Sequence, residues 1–191
     1  MVKNTHRPSD DLYVSVASRL TSKRITIDTI LQKELGQNPT LLERIVEGIG
    51  NEVYRVKCQG SKPLILRIHH GQYDSFMLEK WAMTAVKEHG VPVPLIIAID
   101  TIHFDGIEYT YCIEELLEGE SLNALLTKGL TPKERKMMAH EAGRVLALIH
   151  SVKTNNFGQF IEPGTAQYPT LSESLDLSND KDGLIQAVAG T

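Results

Sequence analysis

The chain has 191 residues, 41% hydrophobic and 23% charged, with a formal net charge of −4, enough apolar material for one large domain or one and a half ordinary ones. The mild negative charge argues against a nucleic-acid or anionic-membrane partner. No stretch reaches the roughly 18 uncharged apolar residues of a membrane helix. The opening MVKNTHRPSDD lacks a signal-peptide apolar segment. Cys58 and Cys112, far apart in apolar strand contexts, read as buried free thiols of a reducing cytoplasm.

In chain order, residues 1–8 read as a tail and Ser9 as the cap of a helix with Tyr13, Val16, Ala17 and Leu20 on its apolar face. Thr26 is expected to cap a second helix, with Ile27, Ile30, Leu31 and Leu35 inward and Gly36 as its stop. Both should pack on the outside of the lobe that follows, without a chemical role. QNPT (37–40) then breaks the chain before a first strand over 41–49.

The chain is organised around residues 47–68, EGIGNEVYRVKCQGSKPLILRI. Gly48 and Gly50 supply the conformational freedom of a tight turn. Tyr54, Val56 and Cys58 follow at period two, the spacing of a strand with one buried face. QGSKP (59–63) is a turn cluster, and LILRI (64–68) is a third strand carrying one cation, Arg67. Strand, glycine turn, strand and then a strand-borne cation is how kinase folds lay backbone over phosphates and hold them with one charge.

After the polar loop HHGQYDS, residues 76–90 repeat Leu78, Trp81, Ala82, Ala85 and Val86 at helical spacing, and Gly90 ends the helix. Glu79 sits beside that stripe and can face a sheet. VPVP (91–94) forces an extended segment. LIIAID (95–100) and YTYCIEEL (109–116) read as two strands turning near FDG (104–106). LLEGESLNALL (116–126) reads as a linker with a short helical pattern. Thr131 and Glu134 form a capping box with Pro132 at the first helical position, opening a helix with Met138, Ala142, Val145 and Ile149 in a stripe to His150. The remainder is turn-rich and weakly patterned, and no internal repeat is present.

This ordered set resembles the aminoglycoside phosphotransferase family, of protein-kinase-like fold, over about residues 40–160. GIGN-x-VYRV (48–56) is similar to the family's loose glycine loop, LILRI to its third strand, and Glu79 in FMLEKW to its helix glutamate. VPVP resembles the approach to its fourth strand, YCIEELLEGESL its hinge, and EAGRVLALIH the first long helix of its large lobe. The resemblance implies an α+β fold: a small lobe with a five-stranded antiparallel sheet and one packed helix over 41–116. A helical extension (1–40) would precede it, with a hinge (117–130) and an incomplete helical lobe (131–191) after it.

It also implies ATP as cofactor, with Mg in the complete enzyme, and a small-molecule hydroxyl such as that of an aminoglycoside as acceptor. Gly48, Gly50 and Asn51 would bring backbone N–H groups to the phosphates. Arg67 would take the place of the family's phosphate-gripping lysine, always charged and able to bind oxygens through two nitrogens. Glu79 would orient Arg67 through an ion pair. Ile65 would line the adenine pocket, and the backbone at Glu115 and Leu117 would read the adenine edge. On this reading Arg67 should share the strand face of Tyr54 and the glycine turn, and a place on the opposite face would count against the phosphate assignment.

Plainer readings stand beside these. A lone strand Arg ordinarily snorkels to water, and a helix Glu is ordinarily a solvated charge. His69 and His70 point to opposite strand faces and cannot easily share an ion. His140–Glu141 begins like a zinc-protease helix, but Arg144 stands where the second histidine belongs. A dinucleotide-binding fold needs its glycines between strand and helix, and here strand follows strand. No His-Gly-Asp-x-x-x-x-Asn pattern follows His150, so the chain is expected to stop before its catalytic half. Two function classes remain: the nucleotide-binding portion of a small-molecule phosphotransferase, or a non-catalytic kinase-like module that binds a nucleotide or a protein.

Overall fold

The computed structural model describes residues 21–45, 50–71 and 75–178. The helix expected from Ser9 and the turn residue Gly48 lie outside the described residues. The chain divides into two compact units, Met1–Phe76 with Pro94–Glu120, and Met77–Val93 with Ser121–Thr191.

The first unit contains helix α1 (Arg24–Leu35) and strands β1 (Leu41–Ile45), β2 (Glu52–Lys57), β3 (Leu64–His70), β4 (Ile96–Phe104) and β5 (Ile107–Glu115). The five strands form one antiparallel sheet in the order β1-β2-β3-β5-β4. Period-two alternation gives it a dry face, where Tyr54, Val56, Leu66, Ile68, Tyr111 and Ile113 are buried. Ile27, Ile30 and Leu31, at helical spacing on α1, close that face. Fully burying each such side chain contributes about 1.5–3 kcal/mol.

Polar contacts fix α1 at the margins. Lys33 Nζ lies 2.6 Å from Asp100 on β4, and the Tyr111 hydroxyl donates to Glu34 at 2.5 Å. At the β4–β5 hairpin, Asp105 (φ 53) and Gly106 (φ 73) form the two-residue positive-φ turn that matches strand twist. Gly36 (φ 65) ends α1 as expected, but Thr26 does not cap it. The helix starts at Arg24 with Lys23 as N-cap, and Thr26 is its third residue, fully buried. The polar residue nearest the apolar stripe was the wrong cap to choose, because the first turn itself packs inward.

The second unit contains most of α2 (Ser75–Glu88), then α3 (Leu122–Lys128), α4 (Pro132–Ser151), β6 (Phe157–Glu162), β7 (Thr165–Tyr168) and α5 (Leu171–Ser178). The 117–130 stretch, expected as linker, holds α3, with Ser121 accepting from the Ala124 N–H at 3.2 Å. At α4 the expected capping box is present: the Thr131 N–H donates to Glu134 Oε2 at 2.8 Å, and Thr131 Oγ1 accepts from the Glu134 N–H at 3.3 Å. The weakly patterned tail contains an antiparallel hairpin, β6–β7, whose Phe160 ring lies 5.1 Å from that of Trp81. Its strands are short and β6 is largely exposed, so no alternation marks it in the sequence.

Candidate functional site

The site is built on β3. Leu66 and Ile68 turn inward beneath α1, which sends Ile65, Arg67 and His69 to the opposite face. Arg67 stands across from Val53 on β2 and Cys112 on β5, whereas Tyr54 stands across from Leu66. Arg67 therefore does not share the face of Tyr54, and the expectation that it would is wrong. The Tyr54 face is the interior covered by α1, where no phosphate could reach. Treating α1 as a peripheral helix hid which face of the sheet was already occupied.

On its own face Arg67 is partly buried and well held. Its Nη2 lies 3.5 Å from Glu114 Oε2, with side-chain exposures of 17% and 12%. The same nitrogen donates weakly to Cys112 Sγ at 3.8 Å, and the guanidinium lies 4.8 Å from the centre of the Phe76 ring. Glu114 stands across from Ile65, so Ile65, Arg67, Cys112 and Glu114 form one contiguous patch. This is no snorkelling edge arginine: β3 is the central strand of the sheet.

At the end of β3 nearest the turn, His69 Nδ1 lies 3.2 Å from the Gly50 carbonyl oxygen and 3.1 Å from Asn51 Oδ1. On the other face Glu52 is buried and accepts from the Ser22 N–H and hydroxyl, each at 2.9 Å, from the Tyr54 hydroxyl at 2.5 Å, and from His70 Nε2. Burial works to raise the Glu52 pKa, but the hydrogen bonds from Ser22, Tyr54 and His70 outweigh it and hold the carboxyl below its ordinary value. Burial, reinforced by the Glu52 charge, raises the Tyr54 hydroxyl. Sequence reasoning missed Glu52 and Glu114. The signal for Glu52 was available: extending the period of Tyr54, Val56 and Cys58 back by two puts a carboxylate on the buried face.

The residues expected to form the hinge sit at the far end of β5. The Glu115 N–H donates to the Leu95 carbonyl at 2.9 Å and its Oε2 accepts from the Leu95 N–H at 3.2 Å. That N–H is thus committed within the sheet, while Leu117, past the strand, is exposed. Glu79 lies on α2, in the part that belongs to the second unit. The first unit thus holds Gly50, Asn51, Ile65, Arg67, Glu115 and Leu117, but not Glu79. Among the described residues no group of three or more His, Cys, Asp or Glu side chains is placed to hold a metal ion. Among them also, no helix is long and apolar enough to cross a membrane.

A five-stranded antiparallel sheet with one helix closing a face and a cation on its central strand defines an α+β protein of the kinase-like small-lobe class. The chain belongs to the phosphotransferase enzyme family (APH), whose model matches residues 42–187, farther toward the C-terminus than the expected 40–160. No curated protein matches significantly. Among solved structures the chain is similar to a Haemophilus somnus 129PT protein assigned as a fructosamine-3-kinase, with 18% identity and a TM-score of 0.41 over 58% of this chain. The chain spans 35% of the length of that relative.

Proposed function

We propose that the chain is the nucleotide-binding portion of an ATP-dependent phosphotransferase acting on the hydroxyl of a small molecule, an aminoglycoside being the example the family supplies. One observation carries the reading: in a member of this family, Arg67 is mounted on the central strand, on the face α1 leaves uncovered, with Glu114 beside it. Phosphoryl transfer asks the protein chiefly to position phosphates and stabilise their charge, and an oriented guanidinium does both. Ile65, one register step away, offers apolar surface for the adenine. The committed Glu115 N–H leaves the hinge N–H donor to Leu117. Gly50 and Asn51 supply the described end of the phosphate turn, and Gly48 is assigned to its remainder.

The reading keeps an Arg67–Glu79 ion pair, the 1–40, 41–116, 117–130 and 131–191 divisions and a cytoplasmic location. ATP supplies the transferred phosphoryl group. The lack of a His-Gly-Asp-x-x-x-x-Asn sequence favours a second reading, a kinase-like module that binds nucleotide or protein without transfer. Calorimetric titration with ATP tests the first element common to both. Weak binding lost in Arg67→Ala supports the nucleotide site, and binding unaffected by that substitution removes it.

A further inference from the structure

The second unit contains a cavity of about 380 Å³ that the phosphotransferase reading leaves unused. α2 supplies one wall through Trp81, Ala82, Ala85 and Val86, which share a face at helical spacing. Their pattern is that of a helix interior, yet none of the four is buried. The end of α4 and the segment after it supply Ile149, His150, Val152 and Thr154, and β6 supplies Phe160. The Trp81 and Phe160 rings lie 5.1 Å apart, tilted by 56°. The β6–β7 turn passes close to the indole, where a Cβ on Gly164 would stand 3.5 Å from Trp81 Cζ2. The hairpin thus steadies the Trp81 ring, and alanine at 82 and 85 leaves volume that larger side chains would fill.

Protein interiors keep few voids larger than a water molecule, whereas small-ligand pockets measure about 300–1,000 Å³. This cavity falls in the second range. Two tilted aromatic rings suit a flat aromatic guest, stacked on one and edge-on to the other. Among the described residues no Asp, Glu, Lys or Arg side chain lines the cavity. A charged guest would therefore lose hydration without gaining a counter-ion. The Thr154 hydroxyl and the His150 ring can each exchange a hydrogen bond with a single guest hydroxyl. We propose that the cavity binds an uncharged aromatic molecule of one or two rings bearing a hydroxyl. The rings lie against Trp81 and Phe160, with the hydroxyl toward Thr154 and His150. No residue of the Arg67 patch lines this cavity, so the two sites stand or fall separately.

Trp81 is the only tryptophan of the chain, and its emission reports on the cavity directly. The test titrates the full chain with p-ethylphenol, ethylbenzene and p-ethylbenzoate, followed by Trp81 emission and by saturation transfer to the ligand. The phenol should bind saturably. Ethylbenzene should bind about two- to tenfold more weakly for want of one hydrogen bond, and the benzoate more weakly still. Ala85→Leu fills the cavity from α2 and should weaken the phenol by about tenfold or more, because the ring then forgoes its buried area. Leu146→Lys, on α4 but outside the cavity lining, should bind as the parent does. Circular dichroism checks that the variants fold, and Ala82→Leu replaces Ala85→Leu if that variant does not. A parent chain without a saturable response overturns the site, as does a cavity-filled variant that matches the parent. Benzoate binding as tight as the phenol's overturns the uncharged class. Emission that changes with protein concentration alone assigns the cavity to a second copy and overturns the small-molecule site.

Discussion

Arg67 and Glu114 lie on adjacent strands with their charged atoms 3.5 Å apart, and less than a fifth of either side chain is exposed. Removing one partner from such a pair strands the other charge in a poorly hydrated place. Arg67→Ala should therefore cost about 1–3 kcal/mol of stability, as well as removing the proposed phosphate ligand. Arg67→Lys keeps the charge and loses the planar fork, so it should recover most of the stability and only part of the ATP affinity. Urea unfolding and calorimetry on the same preparations separate the two effects. An alanine variant as stable as its parent would mean that the pair is solvated in practice.

The buried Glu52 carboxylate makes stability depend on pH with a definite sign. Its folded pKa is lowered from an ordinary value of 4.5. Its contribution is therefore complete above that value, where an unfolded glutamate is ionised, and is lost as pH falls toward the folded pKa. Glu52→Gln should cost about 1–3 kcal/mol near neutral pH. The gap should narrow below about pH 4.5 as the parent loses its ionised carboxylate. Unfolding midpoints measured across that range check this, and a gap of constant size at every pH would contradict it.

Much of the fold was legible because local chemistry and tertiary demand coincide. Gly36 ends α1, the Asp105–Gly106 turn makes the β4–β5 hairpin, and Thr131 with Glu134 opens α4, each through a short-range backbone requirement. What the sequence concealed depends on which surface covers which. Thr26 looks like a cap until Ile27, Ile30 and Leu31 are seen to seat the whole first turn against the sheet. Arg67 is visible as a cation on a strand, but its face follows from where α1 lies, and its counter-ion Glu114 comes from a strand that is distant in sequence. The β6–β7 hairpin has too few inward side chains to print a period, with Ala166 the one buried residue of its second strand.

Protection against hydrogen exchange should follow the sheet. β2, β3 and β5 bury Val56, Leu66, Ile68, Tyr111 and Ile113, so their amides open only with global unfolding. No residue of α3 or α4 is buried, and the amides there should exchange through local opening. Mass-spectrometric exchange should rank residues 53–57, 64–70 and 109–115 well above 122–151. Equal protection in both sets would indicate that α4 is covered in solution.

Substitutions on the two helices should divide in the same way. Ile30 on α1 is fully buried, whereas Leu146 on α4 is 50% exposed. Ile30→Ala should cost about 2–5 kcal/mol, as large-to-small core changes do. Leu146→Lys should fall within about 0.5 kcal/mol of the parent. Chemical denaturation distinguishes them, and a large loss in Leu146→Lys would show that the α4 stripe has a partner in solution.

Turnover is the most demanding test of the functional reading. Transfer in a kinase-like site needs an aspartate to position the acceptor hydroxyl and further ligands for the metal that neutralises the phosphates. In this sequence His150 is followed by Ser151 and not by Gly-Asp. Among the described residues no acidic or histidine cluster suits a metal ion. These 191 residues should therefore bind ATP weakly, gain little affinity from added magnesium, and leave ATP consumption at background with a panel of aminoglycosides and other hydroxylated small molecules. Sub-micromolar, magnesium-dependent ATP binding would contradict this, because it would require metal ligands at the site. Turnover that Arg67→Ala abolishes would place a catalytic aspartate within these residues, and the non-catalytic alternative would then be excluded.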